Sequence, residues 1–238
     1  MKSFIFYFIL LIPKLTTNNH DQAELVIWNV GQGQWVTLRT ETECLHLDMG
    51  GDKNMTRNVS AFCKNRNNRI WLSHWDYDHM SFVKKYSLHN NSCLESLSGP
   101  PPTEFKKRQI EHIPLCSTPT LLVRQIFSDA LSHGNAQSQV AYIRLFQVLA
   151  PGDSTQKQEI KWANSATVAN TKGLILGHHG SRTSTSDYFL SKMSQLRWAI
   201  ASAKQSKYGH PHREVLNRLK KKKIPVLRTE DWGSIHFH

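Results

Sequence analysis

A chain of 238 residues with 39% hydrophobic and 20% charged residues can bury a sizeable core as one domain, and this composition excludes wholesale disorder. Thirty Lys and Arg against eighteen Asp and Glu leave a net charge of +12. That surplus favours an acidic partner such as nucleic acid or an anionic envelope polymer, although a solubilising surface charge has the same sign.

Met1-Lys2-Ser3 opens the chain and is followed by the apolar run Phe4 to Ile12, closed by Pro13 and Lys14. The run is far shorter than the roughly 20 residues that span a bilayer, so no stable membrane span is expected. It has the form of a secretory h-region with Lys2 as the charged n-region, and residues 1–19 are expected to be a leader. No small-x-small cleavage pattern stands around Leu15 to Asn19, so an uncleaved anchor or a buried first strand also fits. Export would place the protein outside the cell or in the periplasm; otherwise it is cytoplasmic. Cys44, Cys63, Cys93 and Cys116 show no CxxC spacing, which excludes a zinc ribbon or thioredoxin-type motif. In an exported chain they permit disulfides in three connectivities, with Cys93 and Cys116 bracketing a Pro- and Ser-rich stretch; four reduced thiols are the alternative.

Glu24 to Asn29 reads as a strand entering the tight turn Gly31-Gln32-Gly33, and Trp35 to Arg39 and Cys44 to Asp48 as two more strands. Arg69 to Ser73 is a strand that delivers His74-Trp75-Asp76-Tyr77-Asp78-His79 at its C-terminal end. The stretch 87–119, with Asn90-Asn91-Ser92 and Pro100-Pro101-Pro102, reads as an insertion or long loop. Thr120 to Leu131 has helical apolar spacing, and Gln139 to Val148 is strand-like. Lys172 to Gly177 is a strand ending in His178-His179-Gly180-Ser181. Ser184 to Asp187 offers caps for a helix carrying Phe189, Leu190, Met193 and Leu196. Trp198 to Ala201 is a strand, and Pro211 suits the first position of a helix with Val215, Leu216 and Leu219 on its face. Lys220 to Lys223 closes that helix, as a solvated terminus or a phosphate site. Pro225 to Arg228 and Ser234 to Phe237 are closing strands. Hairpin-like sets of strands that then alternate with helices suggest a layered α/β protein with a mixed sheet.

Four ligand-type residues within six, directly after a strand, point to a metal site more than to a solvated polar turn. Imidazole and carboxylate suit zinc or manganese. His74 and Asp76 are expected to serve one ion, Asp78 and His79 a second.

The motif resembles the HxHxDH signature of the metallo-β-lactamase superfamily in its HxDxDH form, which is characteristic of the C-terminal hydrolase domain of the ComEC DNA-uptake (competence) family. Asn29-Val30-Gly31-Gln32-Gly33-Gln34 is similar to that family's DVGQGD stretch, with Asn29 and Gln34 in place of both aspartates. Leu47-Asp48-Met49-Gly50-Gly51 resembles the motif whose aspartate orients the metal loop, and Asn135 with Ser138 an NxxS element. Gly152-Asp153 resembles the family's GD, His178 to Ser184 its HHGSxxS, Tyr208 to His212 its YGHPH, and Arg228-Thr229 with Gly233 its ending. The superfamily's separate third-motif histidine has no clear counterpart, His133 being the nearest.

The resemblance covers residues 24–238. It implies a metallo-β-lactamase-like four-layer αββα sandwich as a free-standing form, and a hydrolase with two divalent ions, zinc or manganese. His74, Asp76, Asp78, His79, Asp153 and His178 are then the metal ligands, with Asp153 bridging and Asp48 behind them. His179 or His178 is the ligand of the pair, since sequence leaves open which turns inward. Asp78, His179 and His210 are the expected catalytic groups, His210 otherwise being structural, and Ser181, Arg182, Asn135 and Ser138 are expected to contact substrate. The implied activity is a phosphodiesterase or nuclease acting on DNA. Hydrolysis of another anionic ester, such as an envelope phosphocholine or teichoic-acid-type substrate, is the second reading, and a non-catalytic basic nucleic-acid-binding protein the third. No obligate protein partner is expected.

Overall fold

Two six-stranded mixed sheets organise the chain in the computed structural model, which describes residues 23–238; the expected leader lies outside the described residues. Strands β1 (Glu24–Ile27), β2 (Trp35–Arg39) and β3 (Glu43–Met49) form an antiparallel meander. Helix α1 (Thr56–Phe62) then crosses over to β4 (Asn67–Leu72), parallel to β3. Two short helices, α2 (Tyr77–Met80) and α3 (Val83–Ser87), lead to β5 (Ser92–Leu97), parallel to β4, and α4 (Glu104–Ile110) follows.

The second sheet begins with the antiparallel strands β6 (Val123–Phe127), β7 (Val140–Ile143) and β8 (Val148–Ala150). Helices α5 (Gln156–Trp162) and α6 (Ala166–Ala169) return the chain to β9 (Gly173–Ile175), parallel to β8. Then come α7 (Asp187–Lys192) and β10 (Trp198–Ala201), α8 (Gln205–Tyr208), α9 (Arg213–Lys221) and β11 (Val226–Arg228), all three strands β9 to β11 parallel. After α10 (Thr229–Trp232) the last strand, β12 (Ile235–Phe237), crosses back and pairs antiparallel with β1.

Three apolar clusters show why the sheets stack. Between the sheets Leu25, Ile27, Leu38, Leu45 and Leu47 meet Ile143, Val148, Ile175 and Ile200. Outside the first sheet Val59, Val83, Tyr86 and Ile110 bring α1, α3 and α4 against Ile70 and Leu72. Outside the second, Trp162, Val168, Phe189, Leu190, Val215 and Leu219 pack α5, α6, α7 and α9 against Leu174 and Ala199. Alternation along each strand therefore feeds an inner and an outer core, and the order of layers is helix, sheet, sheet, helix.

The structure corrects three readings. The helical spacing of 120–131 is overridden: Val123–Phe127 is an edge strand, held by pairing with β7. The strand read at 139–148 is a hairpin, turning where Gln147 takes a φ of 54°. The stretch 87–119, read as insertion or loop, contributes β5 and α4, and Cys93 and Cys116 are joined across it. A second disulfide links Cys44 on β3 to Cys63 at the end of α1. As expected, Ser186 caps α7, its hydroxyl accepting from the Phe189 amide. Helix α9 starts two residues after Pro211, with His212 as its N-cap. No helix among the described residues is long and apolar enough to cross a membrane.

Candidate metal centre

Five loops converge at the C-terminal ends of strands from both sheets: after β3, β4, β8, β9 and β10. Asp48, at φ 56° and fully buried, is the penultimate residue of β3 and acts as the hub. Its Oδ1 accepts from the Ser73 amide at 2.7 Å. Its Oδ2 accepts from Ser73 Oγ (2.8 Å), the Gln34 side-chain amide (2.8 Å) and His79 Nδ1 (2.7 Å). Gln34, which replaces an aspartate of the resembled motif, thus serves Asp48 as a neutral donor where a second carboxylate would repel it. The metal loop lies directly on Gly50: a Cβ there would meet the Asp78 carbonyl carbon at 2.4 Å and the His79 nitrogen at 2.5 Å.

Each inner histidine is tied from behind. Ser73 Oγ gives its one proton to Asp48 and so accepts from His74 Nδ1 at 3.0 Å. His79 Nδ1 donates to Asp48, and His179 Nδ1 donates to the Ser202 carbonyl at 2.9 Å. All three Nε2 atoms are left to the interior. His79 Nε2 and His179 Nε2 stand 3.1 Å apart, and His79 Nε2 lies 3.0 Å from Asp153 Oδ1. Asp78 Oδ2 is 3.3 Å from His179 Nε2. On the other side Asp153 Oδ2 faces His74 Nε2 at 3.8 Å and His178 Nε2 at 3.5 Å, and Asp76 Oδ2 is 3.5 Å from His74 Nε2.

Asp153 therefore divides the donors into two sets, one on each carboxylate oxygen. Two groups meet the spacing of a metal site, His74–His79–Asp153 and Asp78–His79–His179. The donors fit a divalent cation by their chemistry. His74 Nε2 and Asp153 Oδ1 are buried without a hydrogen bond, and two imidazole nitrogens face each other with both far sides occupied. Burial works against ionising Asp153 and Asp78, yet His79 and His179 hold both carboxyls below the usual range. Burial likewise lowers the His79 pKa, but Asp153 and Asp48 raise it well above the ordinary value.

His178 and His179 both adopt left-handed backbone, at φ 49° and 55°, which sends consecutive side chains to different places. His179 is buried in the donor cluster. His178 is half-buried at its rim, with Asn135 Nδ2 3.3 Å from its Nε2 and Thr183 Oγ1 3.3 Å from its Nδ1. Both His179 nitrogens have near neighbours: Nδ1 faces the Ser202 carbonyl, and Nε2 lies among His79 Nε2 and Asp78 Oδ2. Ser138 is fully buried, and its hydroxyl accepts from the Asp153 amide at 3.0 Å. Ser181 is buried against Thr183 (3.0 Å between hydroxyls) and Arg182 is exposed beside it. His210 stands 5.9 Å from His178, ring to ring, with a buried Nδ1 that has no partner. Its burial, aided by His179 and His178, lowers its pKa to about 4. His133 is exposed and outside both donor groups. Gln34 is visible in the sequence only as a departure from the resembled motif, Ser73 stands unremarked between strand and motif, and Ser202 carries no sequence signal.

No family model matches the chain. Its sequence is 25% identical over 97% of its length to competence protein ComA of Neisseria gonorrhoeae. It is 34% identical over 36% of its length to ComE operon protein 3 of Bacillus subtilis, and 36% identical over 38% to recombination protein 2 of Haemophilus influenzae. The chain spans 34%, 11% and 11% of the lengths of those three proteins. Among solved structures it superposes on the metallo-β-lactamase fold protein YhfI from Bacillus subtilis with a TM-score of 0.59 at 10% identity, over 91% of this chain and 100% of that one. A diphosphatase from the PhnP family superposes with a TM-score of 0.54 at 9% identity, over 90% of this chain and 97% of that one. The chain has the metallo-β-lactamase fold, and its sequence is similar to part of the competence proteins.

Proposed function

We propose that this protein is a divalent-metal-dependent phosphodiesterase that cleaves DNA. The observation that carries the reading is the Asp153 carboxylate with one oxygen in each of two sets of inward-facing donors. His74, Asp76, Asp153 and His178 would hold one ion; Asp78, His79, His179 and Asp153 the other. Such ions supply Lewis acidity, making a coordinated water more acidic and drawing charge from a phosphoryl oxygen. The protein's own residues do the rest. Asp48, Ser73 and Ser138 hold the donors in register. Asn135 and Thr183 orient His178, and Arg182 offers a guanidinium to a phosphate at the rim. His210 is neutral at pH 7 and can present an N–H to the leaving oxygen. The net charge of +12 and the likeness to competence proteins support DNA as substrate. The two disulfides and the apolar run at 4–12 support export to an oxidising compartment.

The test is hydrolysis of single- and double-stranded DNA with added manganese or zinc, comparing wild type with Asp78→Ala. Metal-dependent cleavage that falls by at least about 100-fold in the variant is expected, as for loss of a metal-site group. Cleavage of bis-p-nitrophenyl phosphate without any action on DNA would instead favour another anionic ester as substrate. A His210→Gln variant that retains more activity than His210→Ala would support the hydrogen-bonding role.

A further inference from the structure

Next to the metal centre lies a cavity of about 680 Å³ that extends from Arg182 and Thr183 at the rim to residues the reaction as described does not use. Thr155, Gln156 and Lys157 line it from the start of α5, Arg182 and Thr183 from the loop after β9, and Glu214 and Arg218 from α9. Thr183 belongs to both places, since its Oγ1 is 3.3 Å from His178 Nδ1. The cavity is therefore continuous with the rim of the donor cluster.

Its charge is uneven in a telling way. The one carboxylate, Glu214, is answered by Arg218 at 3.5 Å, and Arg218 also donates to the carbonyls of Ser184 and Thr185. Lys157 and Arg182 are exposed and make no ion pair among the described residues. The Gln156 side chain steadies the loop by donating to the Arg182 carbonyl at 2.8 Å, which leaves the guanidinium itself free. Two unanswered cations, with the side chains of Thr155, Gln156 and Thr183 beside them, suit an anion with several oxygens. Building on the phosphodiesterase reading, we propose that this cavity is a subsite for a non-scissile phosphate of a nucleic-acid strand, flanking the bond held at the metal centre. The subsite sets the register of the strand and makes a polymer a better substrate than a lone phosphodiester.

Binding of a short fluorescein-labelled oligothymidylate, read by anisotropy in EDTA across a salt series, tests this without turnover. Lys157→Glu is expected to weaken binding about tenfold, the scale of one charge-assisted contact. Lys157→Ala lowers the salt slope by about 0.7, one phosphate contact on a single strand, and Lys157→Arg restores it. Lys157 is a surface side chain, so circular dichroism of all variants should match wild type. Wild-type affinity and slope in Lys157→Glu and Lys157→Ala would overturn the subsite. So would an equal loss in Lys64→Glu, at the opposite end of β4, which would mean diffuse attraction. Lys157-dependent binding in a protein that cleaves no DNA with any metal would reject the hydrolytic reading and keep the subsite.

Discussion

Asp48 takes four donors on two oxygens, and through them fixes the start of the metal loop and the ring of His79. Replacing it by asparagine keeps the shape but leaves an amide that cannot accept as many hydrogen bonds. Asp48→Asn is expected to lower metal affinity by about 10- to 100-fold, measured as zinc retained after dialysis against a competing chelator. A second buried histidine makes a pH prediction away from the site. His46 accepts at Nδ1 from Trp35 and Thr37, and its Nε2 faces Asn68 Oδ1 at 3.1 Å. Burial lowers its pKa from 6.5 to about 4. As pH falls through 6.5 the unfolded chain takes up this proton and the folded one does not until about pH 4. The contribution is thus fully present above pH 6.5 and lost on going down to about 4, a loss of about 3 kcal/mol. Urea midpoints at pH 7 and pH 4.5 should fall less in His46→Gln than in wild type; equal falls would show that His46 is not responsible.

At the scale of elements, the loop after β4 is positioned by contact as much as by its own sequence. Gly50 lets it approach within a distance no side chain permits, so Gly50→Ala should lower both metal content and melting temperature. The element-level readings that held were those with a local signal. Ser186 before Asp187 and Phe189 announces the start of α7, and its removal in Ser186→Ala should cost about 1 kcal/mol in chemical denaturation. The readings that failed lacked such a signal. Leu122, Ile126 and Phe127 fit helical spacing as well as they fit β6, and pairing with β7 decided between them. The Pro-rich run at 100–102 hid an ordered strand just before it, because β5 is stabilised by β4 and by the bridge from Cys93 to Cys116.

For the whole molecule, the site exists only where both sheets meet: Asp48, His74 and His79 come from the first, Asp153 and His179 from the second. Anything that loosens the sandwich should release metal before it unfolds the strands. The two disulfides differ in this respect. Cys44 and Cys63 are buried beneath α1, whereas Cys93 and Cys116 are half-buried on the β5 side. Mild reductant followed by alkylation and mass spectrometry should label Cys93 and Cys116 first. Full reduction should cost about 3 kcal/mol for each loop closed, seen as a lower urea midpoint.

By itself the sequence determined the layered α/β class, most strands, and a histidine–carboxylate cluster of metal-ligand type after β4, because alternation, caps and clustered side chains are local patterns. Asp48, Asp153 and the His178–His179 pair were visible as members of motifs in order. Only the tertiary structure decided which of the paired histidines enters the cluster, since that depends on two left-handed residues and on the Ser202 carbonyl that receives His179. It also decided that Ser138 supports Asp153, that Gln34 serves Asp48, and that Lys157 and Arg182 share a cavity. Those contacts join residues far apart in the chain, and their partners become neighbours only when the two sheets close on their common core.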